Sequence, residues 1–105
     1  MTDRVRIERA APRLVRVSGE LDMASSPELA KVLGEIAGAG AGSLVLDLSD
    51  LSFIDSTGLR VLIDVAGQLG KSGDLILRNP TRPVMEVLEI AGVAEAAPNF
   101  VVETD

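Results

Sequence analysis

The feature that most constrains this chain is a strand and a helix in direct succession. Leu44-Val45-Leu46 is an apolar run, and Leu59, Leu62, Ile63, Ala66 and Leu69 recur at helical spacing soon after it. The short run suits a central sheet strand, expected over Leu44 to Leu48 and buried on both faces. The later pattern lays an apolar stripe along one side of a helix. The segment between them, running to Asp55-Ser56-Thr57-Gly58, has the make-up of a tight polar turn: acids, hydroxyls and a glycine. A strand that feeds straight into a helix favours a right-handed crossover to a parallel neighbour.

The flanking sequence repeats this logic. Val5 and Ile7 alternate with Arg4, Arg6 and Glu8, which predicts a half-buried strand. Ala11-Pro12 makes a turn. Leu14, Val15 and Val17 then alternate loosely with Arg13, Arg16 and Ser18, a second strand in a hairpin with the first. Gly19-Glu20-Leu21-Asp22 ends it. Ser25-Ser26-Pro27-Glu28 opens a helix, with Ser25 and Glu28 as a capping box or with Ser26 as cap and Pro27 as the first helical residue. Leu29, Val32, Leu33 and Ile36 carry its apolar side, and the glycines at 38, 40 and 42 stop it. After the central helix, Leu75-Ile76-Leu77 is a short strand broken by Asn79-Pro80. Thr81 is placed to cap a third helix bearing Val84, Val87, Leu88 and Ala91, which Gly92 ends, and Phe100-Val101-Val102 is a last strand. The order is β-β-α-β-α-β-α-β: an α/β fold with a mixed β-sheet packed against about three main α-helices. At 105 residues, one domain over 1–105 is expected.

Composition removes most chemistries. The chain has no histidine and no cysteine. A Ser-His-Asp triad, a thiol nucleophile, a disulfide and the usual transition-metal sites are therefore excluded. A formal net charge of -6, with no basic patch and aromatics at 2%, argues against nucleic acid or an anionic membrane surface as main partner. No apolar run approaches the roughly 18 residues that span a membrane, and the start carries no signal-peptide pattern, so a cytoplasmic protein is expected. The glycine run lacks the Lys-Ser/Thr of a phosphate-cradling loop. Asp47, Asp50 and Asp55 lack the further ligands of a metal site. Neither cofactor nor metal is expected, and the chain is not expected to be an enzyme.

Three readings of Asp55-Ser56-Thr57-Gly58 compete. In the first it is only a helix start: Ser56 or Thr57 caps the backbone, Asp55 sits at the positive end of the dipole, and Gly58 permits close packing. In the second it is a phosphorylation switch. A phosphate on Ser56 adds a charge of about -1.5 to -2, which the helix end tolerates but Asp55, Asp22 and a packed partner surface do not. In the third it is an aspartic protease motif. The extra residue between Asp55 and Gly58, and the α/β pattern, count against that.

Ser18-Gly19-Glu20-Leu21-Asp22 together with Leu46-Asp47-Leu48-Ser49-Asp50-Leu51-Ser52-Phe53-Ile54-Asp55-Ser56-Thr57-Gly58-Leu59 resembles the STAS domain, the family of bacterial anti-sigma factor antagonists. The resemblance covers nearly the whole chain. It implies a mixed sheet with helices on it. It also implies binding to an anti-sigma factor with serine kinase activity, so that a sigma factor is freed. Phosphorylation of the serine after the motif aspartate, Ser56, would end that interaction, and a serine phosphatase would restore it. Thr57 stands where many members carry a second serine and is a minor candidate. Asp22 would lie in the partner-facing region. Beside the motif, Val61 and Val65 fall on a different arc from the core stripe, as ordinary exposed residues or as partner contacts. Arg60 is available to a partner carboxylate, to Asp64, or to solvent. The alternative from another class is a non-switching structural STAS subunit of a stress-signalling or lipid-transport complex, in which Ser56 is merely a cap.

Overall fold

Strand alternation and helix periodicity decide which residues turn inward, and they build one layer of helices on one face of a sheet. The computed structural model describes residues 5–104; Arg4, the start of the expected alternation, lies outside them. In chain order the elements are β1 (Val5–Ala11), β2 (Leu14–Leu21), α1 (Ser26–Gly38), β3 (Leu44–Ile54), α2 (Ser56–Leu69), a 3-10 turn (Gly70–Ser72), β4 (Leu75–Arg78), α3 (Arg82–Ala91), α4 (Val93–Ala96) and β5 (Phe100–Glu103). The sheet order is β1-β2-β3-β4-β5. β1 and β2 form the antiparallel hairpin, and every later pairing is parallel. The expected element order therefore holds, with α4 as one extra turn after α3.

The core is aliphatic. Leu21, Leu29, Leu33, Ile36, Leu44, Leu46, Leu48, Leu62 and Leu77 are among its fully buried side chains, in one continuous cluster. Burial of β3 on both faces is not observed. Leu44, Leu46 and Leu48 are sealed, but Val45 and Asp47 between them are only half-buried. The outer face carries charge instead: Arg16 Nε lies 3.6 Å from Asp47 Oδ2 and Arg16 Nη1 lies 3.4 Å from Glu8 Oε1. One intervening valine made the run look apolar on both sides.

β3 also continues six residues past its expected end, to Ile54. Its register shows why. Leu14 faces Val45 and Leu21 faces Ile54, with shifts between Arg16 and Ser18 and between Gly19 and Glu20. Two residues of β3 are thus extra, one at each shift. Its buried positions run Leu44, Leu46, Leu48 and then Leu51 and Ile54, stepping by three at each bulge. Without the first bulge, period two would turn Asp50 into the core in place of Leu51. Without the second it would turn in Phe53, which is 47% exposed. Side chains hold both irregularities. Asp47 Oδ1 accepts from Ser49 N and Ser49 Oγ at 3.0 and 2.7 Å, and Ser52 Oγ donates to Gly19 O at 2.9 Å.

The expected caps of α1 and α3 are replaced by other bonds. Ser25 precedes α1 without capping it. Its hydroxyl accepts from Asp22 N at 2.9 Å, and Ser26 Oγ donates to Asp22 O at 2.6 Å, so both serines fold the preceding turn. Thr81 occupies the cap position of α3, but its hydroxyl donates to Leu51 O at 2.7 Å and ties α3 to the bulged strand. At the far end of α2, Asn99 Nδ2 lies 2.8 Å from Ala66 O, 3.2 Å from Gly70 O and 3.0 Å from Gly73 O, linking β5 to the 3-10 turn.

Gly73 is the tightest backbone approach near that link. A Cβ there would lie 2.2 Å from Gly42 O and 2.6 Å from Ser43 N, both backbone atoms that no rotamer change can move. Gly73→Ala is expected to cost about 1–3 kcal/mol by forcing the two loops apart. Thermal unfolding checks this; a midpoint equal to that of the parent would contradict it.

Candidate functional site

Two chain segments meet at the C-terminal edge of β2 and β3. Leu21 pairs with Ile54, and Asp55 N donates to Leu21 O at 3.1 Å. Beyond this last rung the chains diverge, β2 into the Asp22–Ser26 turn and β3 into α2. Strand ends followed by helix starts leave polar groups free in parallel sheets, and such edges commonly hold functional sites.

Asp55 is the residue outside the helix. Its backbone is extended, with φ -107 and ψ -175, and its side chain caps α2. Oδ1 accepts from Thr57 N and Gly58 N, each at 3.0 Å, and from Thr57 Oγ1 at 2.5 Å. Burial alone would raise its pKa. The Thr57 hydroxyl outweighs it together with the backbone N–H groups of Gly58, Thr57 and Met23, and these hold the carboxyl below its ordinary value of 3.8. Asp55 is thus the clasp between the two segments: its N–H bonds Leu21 O at the end of β2, and its carboxylate starts α2.

Ser56 therefore is not the cap, which corrects the helix-cap reading. It is the first residue of α2, exposed, and its hydroxyl has no hydrogen-bond partner among the described residues. Thr57 is half-buried and its hydroxyl is committed to Asp55, with Ser26 Oγ at 3.5 Å. Gly58 is buried because the helix must lie against the clasp. A Cβ there would stand 2.8 Å from Leu21 Cγ and 2.9 Å from Ile54 Cγ1. Asp22 Oδ1 accepts from Ala24 N at 3.0 Å and Ser25 N at 3.1 Å, shaping the opposite turn. The structure thus brings Asp22, Asp55, Ser56, Thr57 and Gly58 together.

The helix face differs from the expectation. Val65 is buried, with 3% of its surface exposed, and belongs to the core rather than to a partner face. At about 100° per residue the buried arc of α2 centres on Leu62, with Val65 and Ala66 on either side. Counting Ile63 as core shifted the inferred centre away from Val65; Ile63 and Val61 are instead the two half-buried flanks. Arg60 is exposed. Of its three options the pair with Asp64 is not formed, and Arg60 has no hydrogen-bond or ion-pair partner among the described residues.

Two residues escaped the sequence reading. Met23, 75% exposed, and Phe53, 47% exposed, sit in the two segments that meet here. Phe53 carried a signal, since it is one of only two phenylalanines and stands in a polar stretch.

The STAS domain family matches residues 3–102. The chain belongs to the STAS domain family. This STAS domain is 34% identical to the anti-sigma-B factor antagonist of Bacillus subtilis strain 168 over 82 residues, 77% of this chain and 74% of that protein. Its fold matches SpoIIAA, an anti-sigma factor antagonist solved in its unphosphorylated form, with a TM-score of 0.72 and 24% identity over 96% of this chain and 89% of that one. It also matches the Bacillus cell fate determinant SpoIIAA in its phosphorylated form, with a TM-score of 0.65 and 21% identity over 96% of this chain and 92% of that one. Among the described residues, no helix of the STAS domain is long and apolar enough to cross a membrane.

Asp55 and Ser56 are expected to separate in stability measurements. Asp55→Ala should cost about 0.5–2 kcal/mol as a lost cap, while Ser56→Ala should stay within about 0.5 kcal/mol. The depressed pKa of Asp55 adds a pH signature. Its contribution is fully present above 3.8 and is lost as pH falls through the lower folded value. Asp55→Asn should flatten that part of the acid limb. Asp47, depressed in the same direction, leaves a residual slope. Urea titrations from pH 2 to 6 check both statements; an Asp55→Asn acid limb equal to wild type would contradict the second.

Proposed function

We propose that this chain is an anti-sigma factor antagonist. It binds an anti-sigma factor that is also a serine kinase, in the cytoplasm, and so frees a sigma factor. It acts by occupying its partner and catalyses nothing itself. Phosphorylation of Ser56 switches it off, and a serine phosphatase restores it. The observation that carries this reading is the free, exposed Ser56 hydroxyl beside a cap that is satisfied without it. A kinase can take that hydroxyl without unmaking the helix start. Its oxygen attacks the γ-phosphorus of the kinase's nucleoside triphosphate. The new Ser–O–P bond forms as the bond to the diphosphate breaks, and the hydroxyl proton passes to a base of the kinase.

The docking surface in this reading comprises Asp22, Asp55, Ser56, Thr57 and Arg60, with Val61 at its margin and the buried Gly58 seating the helix beneath it. Met23 and Phe53 add the exposed apolar area that a protein partner would cover. Thr57 is a positioning residue here and not the acceptor, because its hydroxyl is already donated to Asp55. The names of the relatives support the general role. A structural subunit with Ser56 as cap is the weaker reading, since Asp55 performs the capping.

A phosphate on Ser56 puts a charge of about -1.5 to -2 into that surface. Partner surfaces packed on the turn would have to desolvate it, so binding fails while the domain stays folded. Ser56→Ala is expected to bind the anti-sigma factor as tightly as unmodified wild type and to stay bound in the presence of nucleoside triphosphate. Ser56→Glu should weaken binding at least tenfold. Isothermal titration with the purified partner measures both, and wild-type affinity for Ser56→Glu would overturn the switch.

A further inference from the structure

We propose that Arg60 is an internal receptor for the phosphate of phosphorylated Ser56, an inference that rests on the phosphorylation reading above. Ser56 and Arg60 stand four residues apart on α2, where side chains are neighbours, about 5–6 Å between Cβ atoms. Both are exposed and both line one shallow hollow with Leu59, Ile63 and Asp64. Neither has a side-chain partner among the described residues.

The start of α2 is a poor anion receptor in this chain, because all but one of its donors are taken. Thr57 N and Gly58 N are bonded to Asp55 Oδ1, and Leu59 N is bonded to Asp55 O. A phosphate on Ser56 meets the Asp55 carboxylate, and the one N–H left unbonded there, that of Ser56 itself, cannot offset its charge. Its compensation must come from a side chain, and Arg60 is the one basic residue of α2. A guanidinium offers a phosphate two parallel N–H bonds. Asp64 competes for Arg60 from the other side, also at four residues. The phosphate carries up to about twice the charge of that carboxylate. It also sits N-terminal to the cation, the favoured order on a helix.

Capture has a consequence for docking. Unmodified, Arg60 presents a free cation to an acidic group on the partner. Once Ser56 is phosphorylated, the same side chain folds back onto the phosphate. The docking face gains negative charge and loses its cation in one step.

The test uses the full chain with phosphoserine installed at position 56 during translation, so that no kinase is needed. Wild type and R60Q are each compared with their unmodified forms. In wild type, phosphorylation should give the Arg60 Nε–H a distinct, slowly exchanging NMR resonance that is absent from the unmodified protein. The change in unfolding midpoint on phosphorylation should be more favourable in wild type than in R60Q by about 2–4 °C. An averaged Arg60 resonance in both forms, with equal midpoint changes in wild type and R60Q, would overturn the receptor. If R60Q does not fold, the wild-type resonance alone decides. A failed receptor leaves the switch standing wherever Ser56 is phosphorylated in cells, and a captured phosphate on a serine never modified in cells would sink only the switch.

Discussion

The carboxylate of Asp55 accepts from Thr57 Oγ1, Thr57 N and Gly58 N while its own N–H donates to Leu21 O, and the geometry of the site depends on that one residue. It ends β3, starts α2 and ties both to the last residue of β2. A charged acceptor that gathers several donors is worth more than a neutral one, and losing it leaves those donors unpaired. Because Asp55 fulfils the capping role alone, the next residue has no structural duty. That division of labour leaves a hydroxyl exposed at a helix start where its modification does not undo the fold.

The bulged strand determines what surrounds that hydroxyl. Two extra residues in β3 keep Leu51 and Ile54 in the core and leave Asp50, Ser52 and Phe53 outside. They also advance the end of β3 so that Ile54 pairs with Leu21 and the two turns come together. Thr81, bonded to Leu51 O, and Ser52, bonded to Gly19 O, brace the irregular stretch from either side. The apolar exposure of Phe53 is thus a product of the register.

Much of this was legible in the sequence, for identifiable reasons. Strand and helix order follows from periodicity punctuated by glycine and proline, as at Asn79-Pro80 and Gly92. The length of β3 was hidden because bulges break the two-residue period, and Ser49, Asp50 and Ser52 then look like a turn. The cap was ambiguous because an acid and two hydroxyls stand in a row, and only the extended backbone of Asp55 shows which one precedes the helix. Val65 was misplaced because Ile63, equally apolar, pulled the inferred stripe towards itself. Ser25, three residues before Glu28, and Ser26, just before Pro27, each have the placing of a helix cap, but both bond back to Asp22 in the preceding turn.

The switch reading requires that the exposed serine be used in the cell and that its use exclude a partner. Intact-mass spectrometry of the protein purified from its own host, with co-purifying proteins identified in the same sample, measures both at once. The account predicts a fraction heavier by one phosphate, mapped to Ser56, and a kinase-fold partner that travels only with the unmodified form. A single unmodified mass in stable association with a transporter or scaffold would contradict it.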